Sequence, residues 1–218
     1  MLLVVIPAYN EEKTIGRVFR DLFEHGFVNV LVVDDGSSDQ TAAIARTAGV
    51  TVLRHEINRG QGAALQTGDE FALRCGADAV VHFDADGQFS TADLNPALAV
   101  LKNGVDAVLG SRFLDNRSRI PWFKKKIILP ISIWINFALT GVRLSDAHNG
   151  FRILSRSALE KIKITQDRMA HNSEIIRQCR RFNIKYAETP VAVKYERFGQ
   201  GIGGGFKILW DWLVGKVV

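Results

Sequence analysis

Cysteine is scarce in this chain: Cys75 and Cys179 are the only two in 218 residues. Two thiols cannot build a disulfide framework, and both fall in helix-like stretches, so they read as reduced thiols. Long apolar runs are also missing. The longest, Ile127 to Leu139, is broken by Pro130 and Asn136. At about 13 residues it falls short of the roughly 20 needed to span a bilayer. The first residues lack the basic start, apolar run and small-residue cleavage site of a secretory signal; Leu2 to Ile6 form a strand pattern instead. There is no internal repeat and no compositional sign of disorder. A hydrophobic content of 47% supplies a sizeable core, and the length fits one large domain or one domain with an accessory lobe.

The first half alternates short apolar runs with helical patterns. Strands are expected near 2–6, 29–33, 50–54, 78–84 and 105–110, with helices near 11–25, 38–48, 60–75 and 91–102 between them. Ser37 or Ser38 and Ser90 or Thr91 suit helix starts, and Gly49 and Gly76 suit helix ends. The strands are continuous Val/Leu/Ile runs, as expected when both faces of a sheet are buried. An α/β fold with a mostly parallel sheet and helices on both faces follows. In such sheets ligands gather where the strands end, which directs attention to the loops after Ile6, Val33, Leu53, Phe83 and Gly110. The second half is less regular. A strand near 150–154, a helix near 169–182, a strand near 184–195, a Gly-rich loop at 199–205 and an amphipathic helix at 206–217 are expected.

Net charge is +5, unevenly placed: Arg112, Arg117, Arg119, Lys124, Lys125 and Lys126 crowd one segment against Asp115 alone. Pro121-Trp122-Phe123 and the apolar run follow directly. Basic, aromatic and apolar residues in series favour a membrane surface over nucleic acid, so this segment is expected to lie on a membrane without crossing it. The tryptophans of the last helix suit either a second membrane contact or core packing.

Chemistry concentrates at the strand ends. Pro7-Ala8-Tyr9-Asn10-Glu11 follows the first strand; Pro7 is expected to stop the ladder, Tyr9 offers a stacking face, and Glu11 an acceptor for a base N–H. Asp34-Asp35-Gly36-Ser37 follows the second, where two carboxylates at a buried strand end are costly unless bound; an Asx turn could use one of them. Asn58-Arg59-Gly60-Gln61-Gly62 opens a helix, a place that suits an anion. Asp84-Ala85-Asp86-Gly87-Gln88 carries the sharpest signal. Two carboxylates one residue apart past a buried strand make a hard oxygen site for Mg²⁺ or Mn²⁺, with Gln88 a further oxygen. A Ca²⁺ loop would need later ligands, which are missing after Phe89. His82 reads as a packed strand residue. Arg112 emerges from the fifth strand, placed to grip phosphate.

Taken in order, Pro-Ala-Tyr-Asn-Glu, Asp-Asp-Gly-Ser, Asn-Arg-Gly, Asp-Ala-Asp and Gly-Ser-Arg-Phe resemble the inverting glycosyltransferases of family 2, closely over residues 3–114 and as far as Arg197. The nearest branch resembles dolichyl-phosphate mannose synthase and bacterial polyprenyl-phosphate sugar transferases. The resemblance implies a GT-A fold across 1–218, with a nucleotide-sugar half at 1–110 and an acceptor and membrane-interface half at 111–218. It implies that Pro7, Tyr9, Glu11 and Asp35 line the nucleoside pocket and that Asp84, Asp86 and Gln88 hold the metal; Ala8 and Arg59 complete the expected donor-binding set, Arg59 as the basic side chain of the anion-suited helix start. Arg112 and Arg197 would contact phosphate, Arg197 from a mobile loop. Arg152, in Asn149-Gly150-Phe151-Arg152, matches an acceptor-side motif. Two positions depart from the family. Lys126 stands where Arg is common, and Gly199-Gln200-Gly201 follows where the synthase branch has Ser-Lys, so the resemblance carries donor binding more firmly than mannose or dolichol specificity, and the acceptor stays undecaprenyl or dolichyl phosphate.

The acceptor is expected to be a polyprenyl phosphate. Many family members place a catalytic Asp at the start of a late helix; here His171-Asn172-Ser173-Glu174 has none. A phosphate nucleophile is already anionic and needs no general base. Glu174 would be the base if the acceptor were a sugar hydroxyl instead. A nucleotidyltransferase would place a Gly-rich, Arg-containing loop after the first strand, where Pro7-Ala8-Tyr9-Asn10 stands. A non-catalytic membrane-binding module would be expected to have a broken metal pair, yet Asp84 and Asp86 are both present. The expected partners are thus a nucleotide-sugar, a polyprenyl phosphate, the cytoplasmic face of a membrane and, by analogy, a small membrane protein.

Overall fold

A computed structural model describes residues 1–115, 117, 133, 134, 137, 140–146 and 149–194. Lys126, Arg197, the Gly-rich loop and the C-terminal helix of the sequence reading lie outside the described residues, as does most of the basic-apolar segment. The elements run β1 (Leu2–Ala8), α1 (Ile15–Glu24), β2 (Val30–Asp34), α2 (Thr41–Thr47), β3 (Thr51–Arg54), α3 (Gln61–Arg74), β4 (Ala79–His82), α4 (Leu94–Lys102), β5 (Ala107–Ser111), β6 (Arg152–Ser155), α5 (Arg156–Lys161), α6 (His171–Arg181) and β7 (Tyr186–Pro190). A single 3-10 turn, Thr91–Asp93, leads into α4.

The sheet order is β3-β2-β1-β4-β6-β5-β7. All pairs are parallel except those of β6, which runs antiparallel between β4 and β5. This insertion sets Arg152 opposite His82, so a residue from the second half enters the sheet beside the Asp84 loop.

The continuous apolar strands bury both faces, as their patterning requires. Val4 and Ile6 of β1 point into one layer with Phe19, Leu22 and Val32; Leu3 and Val5 point into the other with Ala64, Leu65 and Ile175. Helix α1 presents Ile15, Val18, Phe19 and Leu22 to the first layer, the spacing of one helical face. Helix α3 approaches the second layer through Ala63, Ala64, Gly68 and Ala72, residues small enough to bring its backbone close to β1. Cys179 is buried in this layer and Cys75 is exposed, and both are free thiols.

Two local expectations need correction. Pro7 does not end β1: it pairs with Val33 inside the ladder. Even-numbered residues of β1 bond toward β2, as Val4 N to Asn29 O and Asp35 N to Ala8 O show, while Val5 O on the other side accepts from Phe83 N. The N–H that Pro7 lacks would therefore face β4, whose pairing has already ended at Val5–His82, so no ladder bond is lost. Ser37 and Ser38 do not cap α2, which starts later, at Thr41; the Asp39 carboxylate accepts from Thr41 N at 2.9 Å. The short helix α5 was not anticipated, because it buries only Ala158 and Leu159, too few to show a period.

Gly68 faces Val5 so closely that an added Cβ would lie 2.3 Å from its Cγ1. Alanine would gain roughly 1 kcal/mol of helix propensity against an overpacking cost of about 1–3 kcal/mol. Gly68→Ala should lower the urea midpoint, and adding Val5→Ala should recover part of the loss. A raised midpoint in the single variant would show that α3 can move off the sheet.

Candidate active site

The loops after β1 and β2 are tied to each other. Asn10 adopts a left-handed backbone (φ 56°); its N–H donates to Ser37 Oγ and its side-chain oxygen accepts from Ser38 N, both at 2.9 Å. Asparagine tolerates this conformation better than most residues. Pro7 and Ala8 are buried within the strand, and Ala8 packs in the core. Tyr9 is half exposed beside them. Glu11 is partly buried; its carboxyl accepts from Thr14 Oγ1 at 2.7 Å. Burial raises the Glu11 pKa, with repulsion from Asp86 and Asp39 adding to the effect and the Thr14 bond opposing it.

The two aspartates after β2 have protein partners. Asp34 takes Ser37 N at 3.2 Å in an Asx turn and pairs with Arg54 Nε at 3.1 Å. Asp35 accepts from Arg59 N at 3.0 Å and Gly60 N at 2.7 Å, and lies 2.7 Å from His55 Nδ1. Its carboxylate therefore shapes the loop carrying Arg59, whose side chain is exposed. The start of α3, expected to offer N–H groups to an anion, is already filled. Gly62 N and Ala63 N donate to Asp167 O at 2.8 and 3.3 Å.

Asp84 and Asp86 are met differently. Asp84 Oδ1 accepts from Gln61 Nε2 at 2.9 Å, and Asp86 Oδ1 from Gln88 N at 2.9 Å. Burial pushes the Asp84 carboxyl up to about 7, with Asp86 adding repulsion and Arg152, His82 and Gln61 opposing it. Burial also raises Asp86. Gly150 closes over Asp84 so tightly that a Cβ there would lie 2.8 Å from Oδ2. Gln88 contributes its backbone, with its N–H to Asp86 and its carbonyl accepting from Lys194 N at 2.9 Å. His82 is buried against Asp69 at 2.8 Å, a packed strand residue as expected.

The second half supplies charge from below. Arg152 is 2% exposed, so this matched acceptor-motif residue sits within the fold. Its Nη2 donates to Asn149 O at 2.9 Å and to Asn172 Oδ1, while Nη1 has no hydrogen-bond partner among the described residues. Burial pulls its pKa down to about 10, and Asp84 is the leading charge that opposes this. Arg112 grips Asp146 with Nε at 2.6 Å and Nη2 at 2.8 Å. Glu174, the alternative base, is 5% exposed and accepts from Thr165 N and Gln166 N, both at 2.9 Å, and from Thr165 Oγ1. A carboxylate filled by three donors is placed to hold a loop rather than to take a proton.

Residues 3–163 match the model of the family described as Glycosyl transferase family 2. The chain belongs to that family. This glycosyltransferase is 31% identical, over 100% of its own length and 96% of the relative's, to UDP-N-acetylglucosamine–dolichyl-phosphate N-acetylglucosaminyltransferase of Methanococcus voltae. It is 33% identical to the polyprenol monophosphomannose synthase of Mycolicibacterium smegmatis over 75% of this chain and 64% of that one. Among solved structures it resembles glucosyl-3-phosphoglycerate synthase of Mycobacterium tuberculosis, crystallised with Mn²⁺ and UDP-glucose, at TM-score 0.73 and 19% identity over 100% of this chain and 78% of the other. That likeness bears out the α/β GT-A fold expected from the sequence.

No three His, Cys, Asp or Glu side chains among the described residues form a metal cage. The glycosyltransferase offers two desolvated carboxylates instead, a set that fits Mg²⁺ or Mn²⁺ taking its remaining oxygens from phosphate and water. Gln61, which touches Asp84, went unassigned in the sequence because nothing in a helix start marks its target. Burial makes Asp84 hold its proton more tightly folded than unfolded. The stability this provides is complete below the unfolded carboxyl pKa near 4 and is lost as pH rises through about 7. In EDTA, the urea midpoint of the wild type should therefore fall between pH 5 and pH 8 relative to that of Asp84→Asn. Parallel curves for the two chains would contradict it.

Proposed function

We propose that this enzyme transfers a sugar from a UDP- or GDP-sugar to a polyprenyl phosphate at the cytoplasmic face of a membrane, with inversion. The observation that carries the reading is the desolvated Asp84–Asp86 pair at the strand ends, taken with full-length similarity to a dolichyl-phosphate sugar transferase. Asp84 and Asp86 would hold Mg²⁺ or Mn²⁺, with Gln88 beside them. When bound, the cation supplies charge for a departing diphosphate. Tyr9 and Glu11 would meet the base, Tyr9 by stacking and Glu11 by accepting a base N–H, on a wall built by Pro7, Ala8, Asp35 and Arg59. Arg197, and Lys126 on the interface segment, would add positive charge for the phosphates, as the family resemblance implies.

The reaction is a displacement. An acceptor phosphate oxygen forms a bond to the anomeric carbon, the bond from that carbon to the diphosphate oxygen breaks, and the nucleoside diphosphate leaves with the electron pair. No proton need be removed from an anionic phosphate, which agrees with the engagement of Glu174 by Thr165 and Gln166. Arg112 serves by fixing Asp146 and the loop before β6, and Arg152 by countering the charge of Asp84 from inside the fold.

Support for the membrane surface comes from Trp134 and Phe137, which are 71% and 48% exposed at helical positions three apart. Two large apolar side chains so exposed within one short stretch fit a lipid-facing surface. Among the described residues no helix is long and apolar enough to cross a membrane. A small membrane protein that docks the enzyme or moves its product would complete this arrangement.

A panel of UDP- and GDP-sugars with Mn²⁺ or Mg²⁺ and a polyprenyl phosphate should yield a lipid-linked sugar and free nucleoside diphosphate. Asp86→Ala should cost about 10²-fold or more in turnover. Transfer to free saccharides with none to the lipid phosphate would move the acceptor to a sugar hydroxyl. Pyrophosphate released from a nucleoside triphosphate would sink the glycosyl-transfer reading. Separately, Trp134→Ser with Phe137→Ser should weaken sedimentation with anionic vesicles by about tenfold or more, given roughly 1.5–3 kcal/mol for each buried aromatic. Unchanged binding would remove this face from the membrane contact.

A further inference from the structure

Residues 163–167 form a strap between α6 and α3. On the α6 side, Glu174 holds Thr165 N and Gln166 N at 2.9 Å, and Gln178 exchanges two bonds with Lys163, its Oε1 accepting from Lys163 N at 2.9 Å and its Nε2 donating to Lys163 O at 2.5 Å. On the α3 side, Gln66 Oε1 accepts from Ile164 N at 2.7 Å, and Asp167 O takes Gly62 N and Ala63 N. Two glycines make room for it. An added Cβ would lie 2.3 Å from Asp167 O at Gly60, where φ is +104°, and 2.0 Å from Gln166 O at Gly62. The strap thus pins the first turn of α3, and the first residue of that turn is Gln61, whose amide donates to Asp84.

We infer that Glu174 is a positioning residue for the metal carboxylate: through the 163–167 strap it fixes the first turn of α3, and Gln61 there orients Asp84. This rests on the proposal that Asp84 and Asp86 hold the cation. The physical reason is directional. A carboxylate binds a small hard cation only at a narrow range of angles and distances, and a ligand oriented by a fixed neutral donor does not have to be reoriented when the ion arrives. Glu174 is well suited to the far end of this connection. Its charge-assisted bonds to two backbone N–H groups are stronger than neutral ones, and burial keeps water from competing with them.

The test titrates Mn²⁺ into the full-length chain and follows free ion by EPR, at a temperature where circular dichroism shows every variant folded. Gln61→Ala, Gly62→Ala and Glu174→Gln should each weaken Mn²⁺ binding by about tenfold, the usual cost of losing a group that orients a ligand. Gln61→Ala combined with Glu174→Gln should be no weaker than Gln61→Ala alone, because both break one connection. Glu174→Asp, which keeps the charge, should recover part of the loss. A lowered melting temperature in Glu174→Gln with unchanged Mn²⁺ affinity would reduce the strap to fold support and overturn the inference. Asp86→Ala serves as the control. Binding equal to wild type in that variant would remove the metal reading itself, whereas loss there with no effect in Glu174→Gln would remove only the strap's role.

Discussion

Asp84 lies within the field of the buried Arg152 guanidinium, and the site is arranged around that attraction. Neither charge would be stable alone in a desolvated position. Arg152 reaches it only because β6 is inserted antiparallel between β4 and β5, opposite His82. Asp84 is at the carboxyl end of β4 because the parallel strands of the first half all end at one edge. The two halves of the chain therefore meet beside Asp84, where Gly150 of the second half leaves no side chain above the carboxylate.

The compensation is incomplete, which is what makes the place suitable for a cation. Arg152 is a single positive charge shared among Asp84, Asp146 and Asp69, while Asp86 adds negative charge beside Asp84. Three buried acids among the described residues are well supplied: Asp35 by two backbone N–H groups and His55, Asp146 by the Arg112 fork, Glu174 by Thr165 and Gln166. Asp84 and Asp86, by contrast, receive neutral donors, Gln61 Nε2 and Gln88 N, rather than a cation fork. Excess negative charge under partial burial is relieved most effectively by a divalent ion and the phosphates it brings.

Much of the fold was legible in the chain. The first five strands and four helices fall where periodicity and glycine stops put them, because burial on both faces leaves continuous Val/Leu/Ile runs that are hard to mistake. The antiparallel direction of β6 was not legible, since four residues carry no mark of orientation. The continuation of β1 through Pro7 was missed because tolerance of the ring depends on where β4 stops pairing, a fact about a neighbour. Of the site, the Asp84–Asp86 spacing and the gathering of five loops were readable. The saturation of Asp35, the filled N-terminus of α3 and the buried setting of Arg152 were not.

What the sequence determined by itself was the layering and the sheet edge. Both follow from hydrophobic burial, which has no direction and repeats at short period, so it can be read along the chain. What only the tertiary structure decided was the division of labour among the acids. Hydrogen bonds and ion pairs hold only at particular angles and near 3 Å, and here they join Asp35 to Gly60, Gln61 to Asp84 and Arg112 to Asp146. Each pair is brought together by packing of whole elements, so no residue's type or neighbours in the chain could announce which carboxylates were taken and which were left for the ligand.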